Sequence, residues 1–150
     1  MLYHSVLQTL TNEQYYAFVN IGAKYPVLLV TDATYEYTDV IKAAMDSEVY
    51  YVWDGKAVDL GMIASTGTAY PVSYDETGIY VAGGHFVERY ALDEENRRLY
   101  VAEAANVVYD EEGNETYSYG TDGELEIVED ATYFNELFEK YALTTLADFK

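Results

Sequence analysis

Glu48-Val-Tyr-Tyr-Val-Trp53, Asp54-Gly55 and Lys56-Ala-Val-Asp-Leu-Gly-Met-Ile63 read in order as strand, turn and strand. Asp-Gly is the preferred pair for a two-residue hairpin turn, whose central residues both need positive φ. The first arm is built of β-branched and aromatic residues, which suit a pleated surface. In the second arm Val58, Leu60 and Met62 alternate with Ala57, Asp59 and Gly61, the two-residue period of a strand with one face inward. Adjacent strand residues point to opposite faces, so Tyr50 and Tyr51 cannot both enter one core.

The same grammar extends in both directions. Upstream, Tyr15–Asn20 reads as a strand, Gly22–Pro26 as a turn and Val27–Thr31 as a short buried strand. Leu2–Leu10 has apolar positions that fit a short helix. Thr11 and Gln14 have capping-box spacing, although the β-prone Tyr15–Val19 follows. Val40, Ile41, Ala44 and Met45 share a helical face, which predicts a short helix within Tyr35–Met45.

Downstream, Ser65–Thr68 is a loop and Ala69–Ser73 an edge strand holding Pro71. Asp75–Gly78 is a turn, followed by strands at Ile79–Ala82 and His85–Leu92. Turn residues around Glu94–Asn96 lead to Arg97–Glu103, and Asn106–Tyr109 and Glu115–Tyr119 flank the turn Asp110–Asn114. Asp122-Gly123 precedes Glu124–Val128. The period then changes. Tyr133, Phe134, Leu137, Phe138 and Tyr141 form one stripe of a helix that Asp130 can cap, with Glu136 four residues before Lys140. The tail after it is expected to pack loosely or cover a sheet edge. The predicted fold is α+β, mainly β: an antiparallel meander of hairpin-connected strands closed by a C-terminal amphipathic helix, in one domain over residues 1–150.

Charge narrows the function. There are 27 acids and 8 bases, a net charge of −19. Direct binding of nucleic acid or of an anionic membrane needs the opposite sign. From Glu103 to Asp130 there are ten acids and no base. The eighteen tyrosines suit cross-strand packing and binding faces alike. No stretch reaches membrane-spanning length, and residues 1–10 lack the basic start and apolar segment of a signal peptide. The chain has no cysteine, which removes disulfides and leaves the compartment open.

Catalytic signatures are absent. The histidines are His4 and His85, and Ser65 sits in no GxSxG context. There is no HExxH and no nucleotide fingerprint, so no cofactor or metal is predicted. Asp110–Glu115 lacks the alternating ligands of an EF-hand and reads as a hairpin turn. No spacing selects a hydrolytic pair among the 27 acids. The expected binding residues are Tyr109, Glu111, Glu112, Tyr117, Tyr119 and Glu124, within or beside the base-free stretch.

EVYYVWDGKAVDLG (48–61), SYDETGIYVAGGH (73–85) and ERYALDEE (88–95) together resemble a β-rich domain of secreted proteins and lipoproteins from gut Firmicutes, over roughly residues 15–120. The resemblance implies a non-enzymatic module with an extracellular or cell-surface location and no assigned ligand. In that family a strand like Tyr15–Asn20 commonly runs into a calcium-type acidic loop. Here the segment from Asn20 to Pro26 has no acid and carries Lys24, so calcium does not carry over.

The leading expectation is an acidic, tyrosine-rich interaction module with a basic protein partner. One alternative is a small cytoplasmic inhibitor, of the kind a phage carries against host defences, whose carboxylates copy a nucleic-acid backbone. A second is a hydrolase with a site the sequence does not reveal.

Overall fold

Val27–Thr31 and Gly78–Ala82 are buried at all five positions, with no in–out alternation. The computed structural model, which describes residues 2–150, shows why: each strand is an interior strand of a sheet and is covered on both faces. In chain order the strands are β1 (Tyr15–Val19), β2 (Val27–Thr31), β3 (Tyr35–Glu36), β4 (Lys42–Ala43), β5 (Asp46–Trp53), β6 (Lys56–Ala64), β7 (Ser73–Asp75), β8 (Gly78–Ala82), β9 (Phe86–Asp93), β10 (Arg98–Tyr109), β11 (Glu115–Thr121), β12 (Glu124–Val128) and β13 (Thr145–Leu146). The helices are α1 (His4–Leu7) and α2 (Thr132–Ala142).

One sheet has the order β1-β2-β5-β6, and the other β12-β11-β10-β9-β8-β7-β13, with every pairing antiparallel. The two pack face to face over a shared core. Val27, Leu29, Val49, Tyr51 and Ile63 come from the smaller sheet, and Ile79 and Val81 from the larger. The alternate residues of the same strands serve outer layers. Leu28 and Val30 pack with Tyr3 and the α1 residues, while Tyr80 and Ala82 pack with Leu137 of α2. The mainly-β meander with a C-terminal helix is thus the observed architecture.

Two clasps join the sheets. At one end the tail pairs β13 with β7, then exchanges two backbone hydrogen bonds between Lys150 and Tyr16 of β1, at 2.8 and 3.1 Å. Between these contacts Ala147 and Phe149 are buried in the shared core. Of the two expectations for the tail, loose packing or covering a sheet edge, the second holds: it pairs with edges of both sheets and forms a strap inside the structure. Elsewhere the β5–β6 hairpin grips the β9–β10 turn. Trp53 Nε1 donates to the Glu94 carbonyl at 2.9 Å, Tyr51 donates its hydroxyl proton to the Glu94 carboxylate, and Arg97 pairs with Asp54 at 2.7 Å.

The deciding hairpin forms as read. Asp54 and Gly55 have φ of 52° and 74°, the positive pair that the tight turn demands. Tyr50 and Tyr51 do point apart, yet both contribute to cores. Tyr51 is buried between the sheets and Tyr50 packs half-buried on the α1 side. The alternation in β6 breaks at a bulge. Glu48 faces Met62 but Tyr50 faces Asp59, so one extra residue is accommodated on β6 at Leu60-Gly61. Gly61 takes φ 108° there. The face therefore switches: Ile63 turns inward and Met62 lies 56% exposed.

Other expectations need correction. The helix predicted in Tyr35–Met45 is the small β3–β4 hairpin. Its apolar stripe spans too few residues to offset helix nucleation. Thr38 Oγ1 instead accepts the Val40 and Ile41 N–H groups, and Val72 N–H bonds the Ala44 carbonyl. Arg97–Glu103 and Asn106–Tyr109 are one continuous strand, β10, bulged at Ala102; Ala104 and Ala105 do not interrupt it because both are buried in the sheet. The strand expected at Ala69–Ser73 begins only at Ser73, beyond Pro71. The expected helix from Asp130 begins at Thr132, whose N–H bonds Asp130 Oδ1 at 3.0 Å.

Phe149→Ala is expected to destabilise the protein by about 3–5 kcal/mol, because Phe149 is 1% exposed in the shared core. Leu143→Ala, at 88% exposure, should stay within about 0.5 kcal/mol. Urea denaturation followed by circular dichroism reads both; equal effects would show that the strap is not part of the core.

Candidate interaction face

The face of the larger sheet beneath α2 carries most of the polar chemistry. In the β9–β10–β11 register, Arg89, Glu103 and Thr121 fall in one cross-strand row. Glu103 is 8% exposed and collects three partners: Arg89 Nη2 at 3.6 Å, Lys140 Nζ of α2 at 3.4 Å, and the Tyr119 hydroxyl, which donates at 2.5 Å. Tyr119 stacks on Tyr133 of α2 with ring centroids 4.3 Å apart. Arg89 also donates to the Thr77 carbonyl at 3.0 Å. Near it the Tyr80 hydroxyl donates to Asp75 Oδ2 at 2.9 Å. This network glues α2 to the sheet, since a buried carboxylate needs its partners in place.

Burial sets the titration of these groups. Burial and then the Glu103 hydrogen bond push the Tyr119 phenol up to about 12. Tyr51 rises to about 12 through burial and then its bond to Glu94. Burial also raises Tyr80 to about 12, with the neighbouring Asp75 adding to the rise. Burial pushes the Asp75 carboxyl up, but hydrogen bonds from Thr77 and Tyr80 and the Arg89 charge bring it below the ordinary value. Glu88 lies in the row that pairs with Val81 and Ala104, and burial raises its carboxyl above the ordinary range.

The structure separates the six sequence-selected residues. Tyr119 belongs to the Glu103 network, and Tyr117 packs edge-on against Phe134 of α2 at 5.9 Å while its hydroxyl donates to the Glu115 carboxylate. These two rings mainly hold α2 in place. Tyr109 is 47% exposed and meets the His85 ring at 5.1 Å. Glu111 and Glu112 sit exposed on the β10–β11 turn, whereas Glu124 lies beside the β11–β12 turn at the opposite end of β11. The turn around Glu111 is organised by Asp110, whose carboxylate accepts the Glu112 N–H at 2.9 Å and the Asn114 N–H at 2.8 Å. Those hydrogen bonds, Asn114 foremost, hold the Asp110 carboxyl below its ordinary value.

Two surface depressions adjoin α2. A cleft of about 440 Å³ lies between its C-terminal half and the loop before β7, lined by Tyr37, Tyr70, Pro71, Phe138 and Tyr141. The Tyr141 hydroxyl donates to the Pro71 carbonyl at 2.8 Å and fixes one wall. A wider, shallow depression of about 630 Å³ joins β12 to the start of α2, lined by Ile127, Glu129, Asp130, Tyr133 and Glu136. Neither was legible in sequence: the cleft joins Tyr37, Tyr70 and Tyr141, which are distant along the chain, and the depression forms only where the start of α2 meets β12.

Ser65 and His85, weighed from sequence as a possible nucleophile and base, make the following contacts. Ser65 Oγ is buried and accepts the Ala82 N–H at 3.0 Å, while His85 is exposed against Tyr109. Among the described residues no three histidine, aspartate or glutamate side chains converge as a metal-holding group. No helix of the described residues is long and apolar enough to cross a membrane.

Most informative is the distribution of charge. Of the ten acids from Glu103 to Asp130, all but Glu103 are exposed. Arg89 and Lys140, the bases at this face, both pair with Glu103. Among the described residues, none of the nine exposed acids forms an ion pair. Fold and face together define a two-sheet, mainly-β α+β domain with an uncompensated carboxylate surface. Comparison with protein-family models, with curated proteins and with solved structures finds no match to this chain.

The raised phenols make stability fall in alkali. Between pH 10 and about 12 the unfolded chain has lost phenolic protons that Tyr51, Tyr80 and Tyr119 still hold when folded. Stability from these groups is complete below pH 10 and is lost as pH rises through that window. Urea midpoints measured across it should decline, and Tyr119→Phe should flatten the decline. An unchanged slope in that variant would show that Tyr119 titrates normally.

Proposed function

We propose that this chain is a non-enzymatic binding module that recognises a basic protein partner in an extracellular or cell-surface setting. One observation carries the reading: nine exposed carboxylates between Asp110 and Asp130 form no ion pair among the described residues, since this stretch holds no base and Arg89 and Lys140 pair with Glu103. Such a surface creates a negative potential that steers and orients a positively charged partner. It costs self-repulsion in the free protein, and a cationic partner relieves that cost.

The tyrosines divide accordingly. Tyr117 and Tyr119 stiffen the platform on which the acids stand, and Tyr109 and Tyr133 offer half-exposed rings at its rim. Aromatic rings beside carboxylates accommodate lysine and arginine by cation–π contact as well as by charge. The bonded, buried Ser65 supports a binding role over a hydrolytic one. The resemblance of residues 48–95 to domains of secreted proteins motivates the location.

Fluorescence anisotropy with a labelled lysine-rich peptide tests the reading. Changing Glu111, Glu112, Glu124 and Glu126 to Gln should weaken binding about tenfold or more, in proportion to the salt-sensitive contacts removed. Neutralising Glu13, Asp32, Glu36 and Asp39, equal in number and also exposed, should change it about threefold at most. Equal losses in the two variants would reduce the effect to net charge and overturn the assignment. Displacement of a DNA-binding protein from duplex DNA would favour the inhibitor alternative.

A further inference from the structure

The two sheets leave four outer edges, and three are closed or blunted. β1 bonds to Lys150. β6 is broken by the bulge at Leu60-Gly61. β13 is two residues long. The fourth, β12, pairs only with β11, keeps regular register over five residues, and has no other backbone hydrogen bond among the described residues. A straight, unpaired edge presents N–H and C=O groups to any strand that can lie alongside.

Its two faces differ. On the side away from α2, Leu125 lies in the row of Gly120 and Ala104, and Ile127 in the row of Ser118 and Asn106. This side extends past the smaller sheet, and none of its residues on β11 or β12 joins the shared core. Leu125 is 45% exposed and Ile127 77% exposed, beside a floor of small side chains. On the α2 side the same strand presents Glu124 and Glu126.

We infer that β12 is a docking edge for an extended segment of a partner protein in which cationic and apolar residues alternate. Added as an eighth strand, the segment would place its apolar residues beside Leu125 and Ile127 and its lysines or arginines beside Glu124 and Glu126. Main-chain bonds supply affinity and the alternating side chains supply specificity. A second copy of this chain fits poorly, because two β12 edges would set Glu124 and Glu126 against their own counterparts, and like charges across a strand pair repel. The edge thus repels itself and selects its opposite. This inference rests on the basic-partner reading and adds to it the mode and place of contact.

The test uses the whole chain and two blocked octapeptides, four repeats of Lys-Val and four of Lys-Gly, which share charge and differ in strand-forming and apolar character. Amide-resolved NMR should show shifts and exchange protection at Glu124–Val128 with the Lys-Val peptide, bound about tenfold or more tighter than the Lys-Gly peptide. Ile127→Lys, at an exposed position that leaves the fold intact, should abolish that preference. Binding of both peptides without changes at Glu124–Val128 would overturn the edge assignment and leave the basic-partner reading standing. Failure of both peptides to bind would overturn both. Self-association through β12, read by sedimentation, would replace the cationic partner with a second copy.

Discussion

Two strands buried on both faces set the terms for everything else. β2 and β8 cannot remain in a sheet with one wet side, since Leu28, Val30, Tyr80 and Ala82 would then stand in water. Leu28 and Val30 so exposed would each forgo about 1.5–3 kcal/mol of burial. The smaller sheet therefore needs its α1 cover and the larger needs α2. The order of layers follows: helix, sheet, sheet, helix. Of the larger sheet's seven strands, only those packed against the four-stranded sheet share its core, so β11 and β12 project beyond it.

The scarcity of cations has structural weight in this chain. With eight bases against 27 acids, each Lys or Arg has many possible partners. Arg97 and Arg98 serve turns, pairing with Asp54 and Asp93. Arg89 and Lys140 go to Glu103, where burial makes an unpartnered carboxylate costly. A buried carboxylate thus outcompetes surface ones for the same cations, because exposed pairs contribute only about 0–1 kcal/mol. The surface acids from Asp110 to Asp130, in a stretch with no base of its own, are left without a cation while the helix is anchored.

Much of this fold was legible along the chain, because hairpins are local. The Asp54-Gly55 turn carries its own signal, and the turn at Asp122-Gly123 repeats the same pair of positive φ angles. What sequence did not show depended on tertiary contact. A bulge at Gly61 reversed the facing of Met62 and Ile63. Thr11 and Gln14 make the contact their spacing suggested, with Thr11 N–H bonded to Gln14 Oε1 at 3.0 Å, yet the chain enters β1 because strand pairing outweighs a lone cap. The six residues expected to bind lie near one another in sequence, yet the fold scatters them over both ends of one hairpin. Glu103 shows no sign in sequence of being the hub, since its partners lie 14, 16 and 37 positions away.

The strap formed by β13 and Lys150 has a temporal side. Tyr16 finds its backbone partner in Lys150, which follows every other element of the fold, so those elements can be made before the two sheets are held at that side. During synthesis, hairpins from β1 to β12 can pair as they emerge, but Phe149 reaches the shared core only after all of them have been made. Until then the cavity awaiting Phe149 stays open and nascent apolar surface stays wet. Closure of such a distant contact is slow compared with hairpin formation. The free β12 edge, guarded by its glutamates, is formed during that same interval.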